Sequence, residues 1–223
     1  MNWQEYWNHT SQSNEVLAQV GRLNVNQETA VQEAAERIVN LLNLQPEDRI
    51  LDVCCGNGLL TSYIANKGYS ITGVDLSEKL IENAKKSHPS VDFYRQDAIC
   101  LDLNKTFDKL YIAFSFQYFD SFSKGKKVLD ALIRHGNSNA TIVLTDIPDK
   151  DRWGNYYNSL LKKFFYFKQM LTGKQTMGKF WSVKELLLIC ELLGVKGSVI
   201  QQPDNLPYSY YRFDFIINKT SKL

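Results

Sequence analysis

Short, nearly unbroken apolar runs alternate with amphipathic stretches along most of this chain. The runs at 49–53, 70–74, 91–94, 108–114 and 140–145 are bounded by polar or turn-forming residues, the pattern of strands buried on both faces of a sheet. Between them, apolar positions recur at helical spacing over 28–43, 59–67, 77–88, 124–135 and 182–193. Ser77 stands where an N-cap is wanted, and Pro89 and Gly194 are stop signals. The alternation breaks after residue 145. The stretch 146–177 is rich in aromatics and lysines and predicts a helix over 154–171. The segments 195–202 and 211–219 then read as a closing antiparallel pair. Residues 1–30 carry Trp3, Tyr6 and Trp7 at helical spacing, which predicts one or two short helices folding over the sheet edge.

Strand, helix, strand alternation implies a parallel sheet with helices on both faces. A chain of 223 residues, 44% hydrophobic, fits one such α/β domain. We divide it into an N-terminal helical lid over 1–30 and a main domain over 31–223, with 147–181 as an insertion after the fifth strand. A net charge of +2 gives no reason to expect a nucleic-acid partner. Cys54, Cys55, Cys100 and Cys190 show neither metal spacing nor a secreted framework. With no signal-peptide core and no run long enough to span a membrane, a soluble, cytoplasmic protein is expected. The final Ser221-Lys222-Leu223 would be a peroxisomal address only in a eukaryotic cell.

Three strand tips carry the chemistry. The first run continues into ILDVCCGNGLLTSYIA at 50–65, the second ends at Asp75, and Asp97 follows the third. Ligands of open α/β sheets bind at such carboxyl ends. Gly56 and Gly58 let a ligand approach the backbone closely. Asp75 can accept two hydrogen bonds from a ribose diol, and Asp97 can accept from an exocyclic amine. A dinucleotide site would want a third glycine, but Thr61 occupies that position.

In these residues and their spacing the chain resembles the class I S-adenosylmethionine-dependent methyltransferases, from about residue 36 to 217. The resemblance implies a seven-stranded, mostly parallel sheet of order 3-2-1-4-5-7-6 with strand seven antiparallel. It also implies S-adenosylmethionine as cofactor, with S-adenosylhomocysteine as product. The turn from Asp52 through Cys54, Gly56 and Gly58 would hold the methionine part, Asp75 the ribose and Asp97 the adenine. Leu76, Ala98 and Phe114 are counted among the cofactor-binding positions. Cys54 departs from the family, which places a glycine there, so the turn is expected to survive with less room beside the methionine part.

The acceptor side is less distinct. Tip residues Gln117, Tyr118 and Asp146, together with His9 in the lid, are the candidates for holding the acceptor or taking its proton. The Asn/Asp-Pro-Pro-aromatic signature of nucleic-acid amino-methyltransferases is absent. Asp149 and Asp151 read as helix caps rather than bases. The lysine- and aromatic-rich 160–181 reads either as an amphipathic helix packed on the sheet or as a cap favouring an acidic or lipid-linked acceptor. The expected activity is methylation of a small molecule, at oxygen. A non-catalytic binding module and a nicotinamide-dependent oxidoreductase are the alternatives.

Overall fold

The computed structural model describes residues 2–13, 15, 19, 27–172 and 176–219. The C-terminal Ser-Lys-Leu and the stretch 20–26 lie outside them. Seven strands form one sheet: β1 (Arg49–Val53), β2 (Ser70–Asp75), β3 (Asp92–Arg95), β4 (Phe107–Ala113), β5 (Gly136–Pro148), β6 (Lys196–Gln201) and β7 (Arg212–Asn218). Their order is β3-β2-β1-β4-β5-β7-β6. β7 runs antiparallel to both β5 and β6, while the other pairings are parallel.

Side chains alternate between two cores, as the two-residue period of a strand requires. Leu51, Val53, Leu110, Ile112, Ile142 and Leu144 face one side and pack with α5 (Phe122–His135) and α8 (Val183–Leu192). Ile50, Tyr111 and Val143 face the other, against Ala35, Ile38 and Leu42 of α2 (Gln27–Leu42) and Ile64 of α3 (Leu59–Ala65). Both faces are therefore covered, which is why the central strands are apolar along their whole length. The caps read from the sequence are present. Ser77 accepts from the Leu80 N–H at 3.2 Å at the head of α4 (Glu78–Ser87), and Ser182 forms a capping box with Glu185 on α8.

Two elements differ from the sequence reading. β5 runs from Gly136 to Pro148 rather than 140–145. Gly136 pairs with Phe107 of β4, the Asn-Ser-Asn that follows falls in a register shift before Thr141 pairs with Lys109, and the far end pairs with β7 across a second shift between Leu144 and Ile147. The helix expected over 154–171 is two helices, α6 (Trp153–Tyr156) and α7 (Leu160–Leu171). The break comes at Ser159, whose hydroxyl accepts from the Lys162 N–H at 3.2 Å and starts α7 afresh. The chain leaves the sheet after Pro148 and returns at Trp181, whose N–H donates to the Pro148 carbonyl at 2.8 Å.

The N-terminal helix α1 (Trp3–Thr10) lies across the carboxyl ends of the strands rather than along the sheet edge. Its Asn8 accepts from the Ser77 hydroxyl at 2.6 Å, and Asn83 of α4 donates to the Ser11 carbonyl at 3.1 Å.

Candidate functional site

A cavity of about 390 Å³ opens at the tips of β1 to β4, under α1, within the range of small-molecule sites. Asp52, Cys54, Gly56, Asp75, Leu76, Asp97, Ala98 and Phe114 line it. Gly58 stands just behind, at the start of α3. The strands converge here through strained turns. Cys54 follows β1 at φ 64° and Phe114 follows β4 at φ 59°, a left-handed conformation uncommon outside glycine. Such strain concentrates at functional sites. The turn thus keeps its glycine-type backbone at Cys54 even though a side chain is present.

Asp75 is buried and fixes the turn. Its carboxylate accepts from the Gly56 N–H at 2.9 Å and the Ser77 N–H at 2.8 Å. Asp97 accepts from the Ile99 N–H at 2.9 Å through one oxygen. Each carboxylate keeps acceptor capacity for a ligand. Asp52 accepts from the Thr61 hydroxyl at 2.7 Å. The residue that fails the dinucleotide pattern therefore has a different task, bracing the first carboxylate. The buried Tyr111 hydroxyl lies beside Asp52 without a hydrogen bond of good geometry among the described residues.

Burial pushes the Asp52 carboxyl up to about 7, opposed by the Thr61 hydrogen bond and reinforced by the negative Asp75. Burial also raises Asp75, opposed by the backbone N–H groups of Ser77 and Gly56. The Cys54 thiol is pushed well above its ordinary value, first by burial and then by the three neighbouring aspartates. It stays protonated and is no nucleophile. Among the described residues the only ammonium group lining the cavity is Lys124, which pairs with Asp120 at 2.9 Å. The cavity therefore carries excess negative charge. That suits a ligand bearing a sulfonium and an ammonium, and opposes the pyrophosphate of a dinucleotide.

The pH consequence has a definite sign. Asp52 is largely neutral at pH 6 and largely ionised at pH 8. Affinity for a cationic amino-acid ligand should therefore rise with pH over that interval, by up to about 10-fold if the ionised form alone binds. Calorimetric titration of S-adenosylhomocysteine at the two pH values checks this, and Asp52→Asn should flatten the difference.

Gly58, at φ 76°, packs so closely that an added Cβ would lie 2.5 Å from the Phe93 ring. Gly68 has φ 94° with nothing within 4 Å. Gly58→Ala should destabilise by roughly 2 kcal/mol or more, and Gly68→Ala only by about the left-handed strain of 1 kcal/mol. Urea unfolding of both variants measures the contrast.

Of the four acceptor-side candidates, Tyr118 alone lines the cavity. Its ring packs on Trp3 and Trp7 of α1, with centroids 4.5 and 5.3 Å away, so α1 and the β4 tip form an aromatic clasp. Gln117 is buried and turned inward, donating to the Phe114 carbonyl at 2.7 Å. Its own carbonyl accepts from the Lys179 N–H at 2.7 Å where the insertion returns. Asp146, at φ 65° in the β5 register shift, accepts from Gln202 at 3.1 Å and Arg212 at 3.2 Å. His9 is exposed on α1. Asp149 accepts from the Asp151 N–H at 2.9 Å, the capping role expected of it. The Trp3–Tyr118–Trp7 clasp and the Thr61–Asp52 brace were missed in the sequence. Only the i, i+4 spacing of the two tryptophans hinted at the first.

Residues 50–146 match the family model described as a methyltransferase domain. The chain is 30% identical over 174 residues to an O-methyltransferase of Pyrenophora dematioidea, covering 68% of this chain and 64% of that protein. It is 28% identical over 142 residues to the demethylmenaquinone methyltransferase of Chlorobaculum tepidum, covering 62% of this chain and 55% of that one. The chain thus spans between about half and two thirds of these relatives' lengths. A similar fold is seen in the magnesium protoporphyrin IX methyltransferase of Synechocystis, crystallised with bound S-adenosylhomocysteine. The TM-score is 0.65, at 18% identity over 90% of each chain. Residues 50–146 thus match a methyltransferase domain, and the seven-stranded sheet has the fold seen in S-adenosylmethionine-dependent methyltransferases.

Proposed function

We propose that this protein transfers the methyl group of S-adenosylmethionine to an oxygen of a small molecule. The observation that carries the reading is the cavity in which Asp52, Asp75 and Asp97 converge without a matching set of cations, roofed by the Trp3–Tyr118–Trp7 clasp. When bound, S-adenosylmethionine supplies an electrophilic methyl carbon on a sulfonium. Asp75 and Leu76 hold the ribose, Asp97 and Ala98 the adenine, and the Asp52–Gly58 turn the methionine part, with Phe114 closing the floor.

The protein's contribution to rate is then proximity and alignment, which alone can remove much of a bimolecular barrier. Tyr118 orients the acceptor at the cavity lip. Asp146 and Gln117 support that lip from behind, because their side chains are already engaged by Arg212, Gln202 and Phe114. His9 would reach an acceptor only from the solvent side of the lid. The lid over 1–30 and the insertion over 147–181 select the acceptor. The Pyrenophora relative's assignment as an O-methyltransferase supports oxygen as the accepting atom.

Incubation with S-adenosylmethionine and a panel of hydroxyl, carboxyl and amine compounds, read by mass spectrometry, tests the reading. An O-methyl product supports it and an N-methyl product overturns the choice of atom. Tight S-adenosylhomocysteine binding with no transfer to any compound would favour a binding module instead. Tyr118→Ala removes two aromatic contacts, each contributing about 0.5–1.5 kcal/mol. It should lower kcat/KM for the acceptor roughly 10-fold while changing S-adenosylhomocysteine affinity less.

A further inference from the structure

Helix α7 presents its apolar side to solvent. None of its residues is buried. Leu160 is 86% exposed, Leu171 84% and Phe164 63%, and Phe167 shares the same side of the helix. The side turned toward the body of the protein holds the less exposed Lys163 and Tyr166, the latter ring against Trp153 and Tyr157. This is the reverse of a helix packed on a core, where the apolar stripe faces inward.

The surrounding charge is one-sided. Between Asp151 and Glu185 the chain has no acidic residue, although it has 24 in all, and seven of its 26 basic residues fall there. Lys179 is taken up by Glu185 at 2.7 Å and Arg152 by Asp149 at 3.4 Å. Lys162, Lys163 and Lys168 have no carboxylate partner among the described residues. Lys162 and Lys163 instead lie over the Tyr156 and Trp153 rings, 5.7 and 6.0 Å from the centroids. Lys163 lies on the body-facing side, whereas Lys162, which also donates to the Tyr156 carbonyl at 3.3 Å, and Lys168 stand exposed on the helix.

We propose that α7 docks this protein on an anionic lipid bilayer, with the Leu160, Phe164, Phe167 and Leu171 side entering the acyl boundary and the lysines meeting the headgroups. An apolar helix side flanked by long cationic side chains is the geometry of an interfacial helix, and uncompensated lysines select anionic lipid. A second copy of the chain fits the surface poorly. A two-fold interface sets the patch against itself, bringing Lys168 toward its own copy with no acid between them. The inference stands on α7 alone and does not depend on which acceptor the cavity takes.

Flotation of the full chain with phosphatidylcholine vesicles, with and without phosphatidylglycerol, tests it. The protein should float with the anionic vesicles only, and added salt should release it. Neutralising Lys162→Gln and Lys168→Gln should weaken partitioning roughly 5-fold for each lysine. Phe164→Asp with Phe167→Asp should abolish it. Both variants should keep S-adenosylhomocysteine affinity, because α7 does not line the cofactor cavity. The proposal is overturned if the wild-type chain ignores anionic vesicles, or if both variants float as it does. Sedimentation showing a dimer that Phe164→Asp dissolves would also overturn it.

Discussion

Asp75→Ala should weaken S-adenosylhomocysteine binding about 100-fold or more while leaving the protein folded. Two hydrogen bonds from a ribose diol to one ionised carboxylate contribute on the order of 1.5–3 kcal/mol each. Losing both is enough for that factor. The same carboxylate also fixes the Gly56 and Ser77 N–H groups, so its removal loosens the turn after β1 as well. Asp75→Asn keeps the size and one acceptor oxygen and should fall between wild type and alanine. Calorimetry gives the affinities, and a thermal melt separates lost binding from lost folding. Undiminished binding by the alanine variant would remove Asp75 from the site and, with it, the nucleoside reading of the cavity.

The convergence of Asp52, Asp75 and Asp97 on one cavity was legible because these residues ride on strand tips. An apolar run followed by Gly56 and Gly58, then Asp75, then Asp97, fixes both which residues meet and at which end of the sheet. The acceptor half follows no such rule. Asp146 and Gln117 stand at the right tips, but a strand tip does not say where a side chain turns. Asp146 is claimed by Arg212 and Gln202, from the far end of the chain. Tyr118 reaches the cavity because Trp3 and Trp7 come across from α1 to meet it. Local pattern was also ambiguous where tertiary pairing decided. Gly136 opens a stretch of turn composition yet pairs with Phe107 of β4, ahead of a register shift that takes up 137–140. In α7 the helical period was evident, but period alone does not say whether the apolar side packs inward or faces out.

Arg37→Ala should destabilise the fold by about 3–5 kcal/mol, the largest stability loss expected of a single polar substitution here. Asp214 is fully buried on β7. One of its oxygens accepts from the Asp146 N–H and from Gln202, both at 2.8 Å. Its other oxygen accepts from Arg37, which reaches across from α2. The two neutral donors solvate the carboxylate, but Arg37 is the cation paired with it, because Arg212 is spent on Asp146. Removing Arg37 leaves a buried charge without its counter-ion, a state costlier than the pair is favourable. The consequence is separable by a double-mutant cycle in urea. Asp214→Asn alone loses a charge but keeps an acceptor for the Asp146 N–H. Arg37→Ala on that background should therefore cost far less than on the wild type, with a coupling of at least about 1 kcal/mol. Additive losses would mean that Arg37 acts by packing its stem against α2's neighbours rather than through the ion pair. The strained Asp146 backbone would then be held at the β5 tip by Asp214 and Gln202 without help from the helix layer.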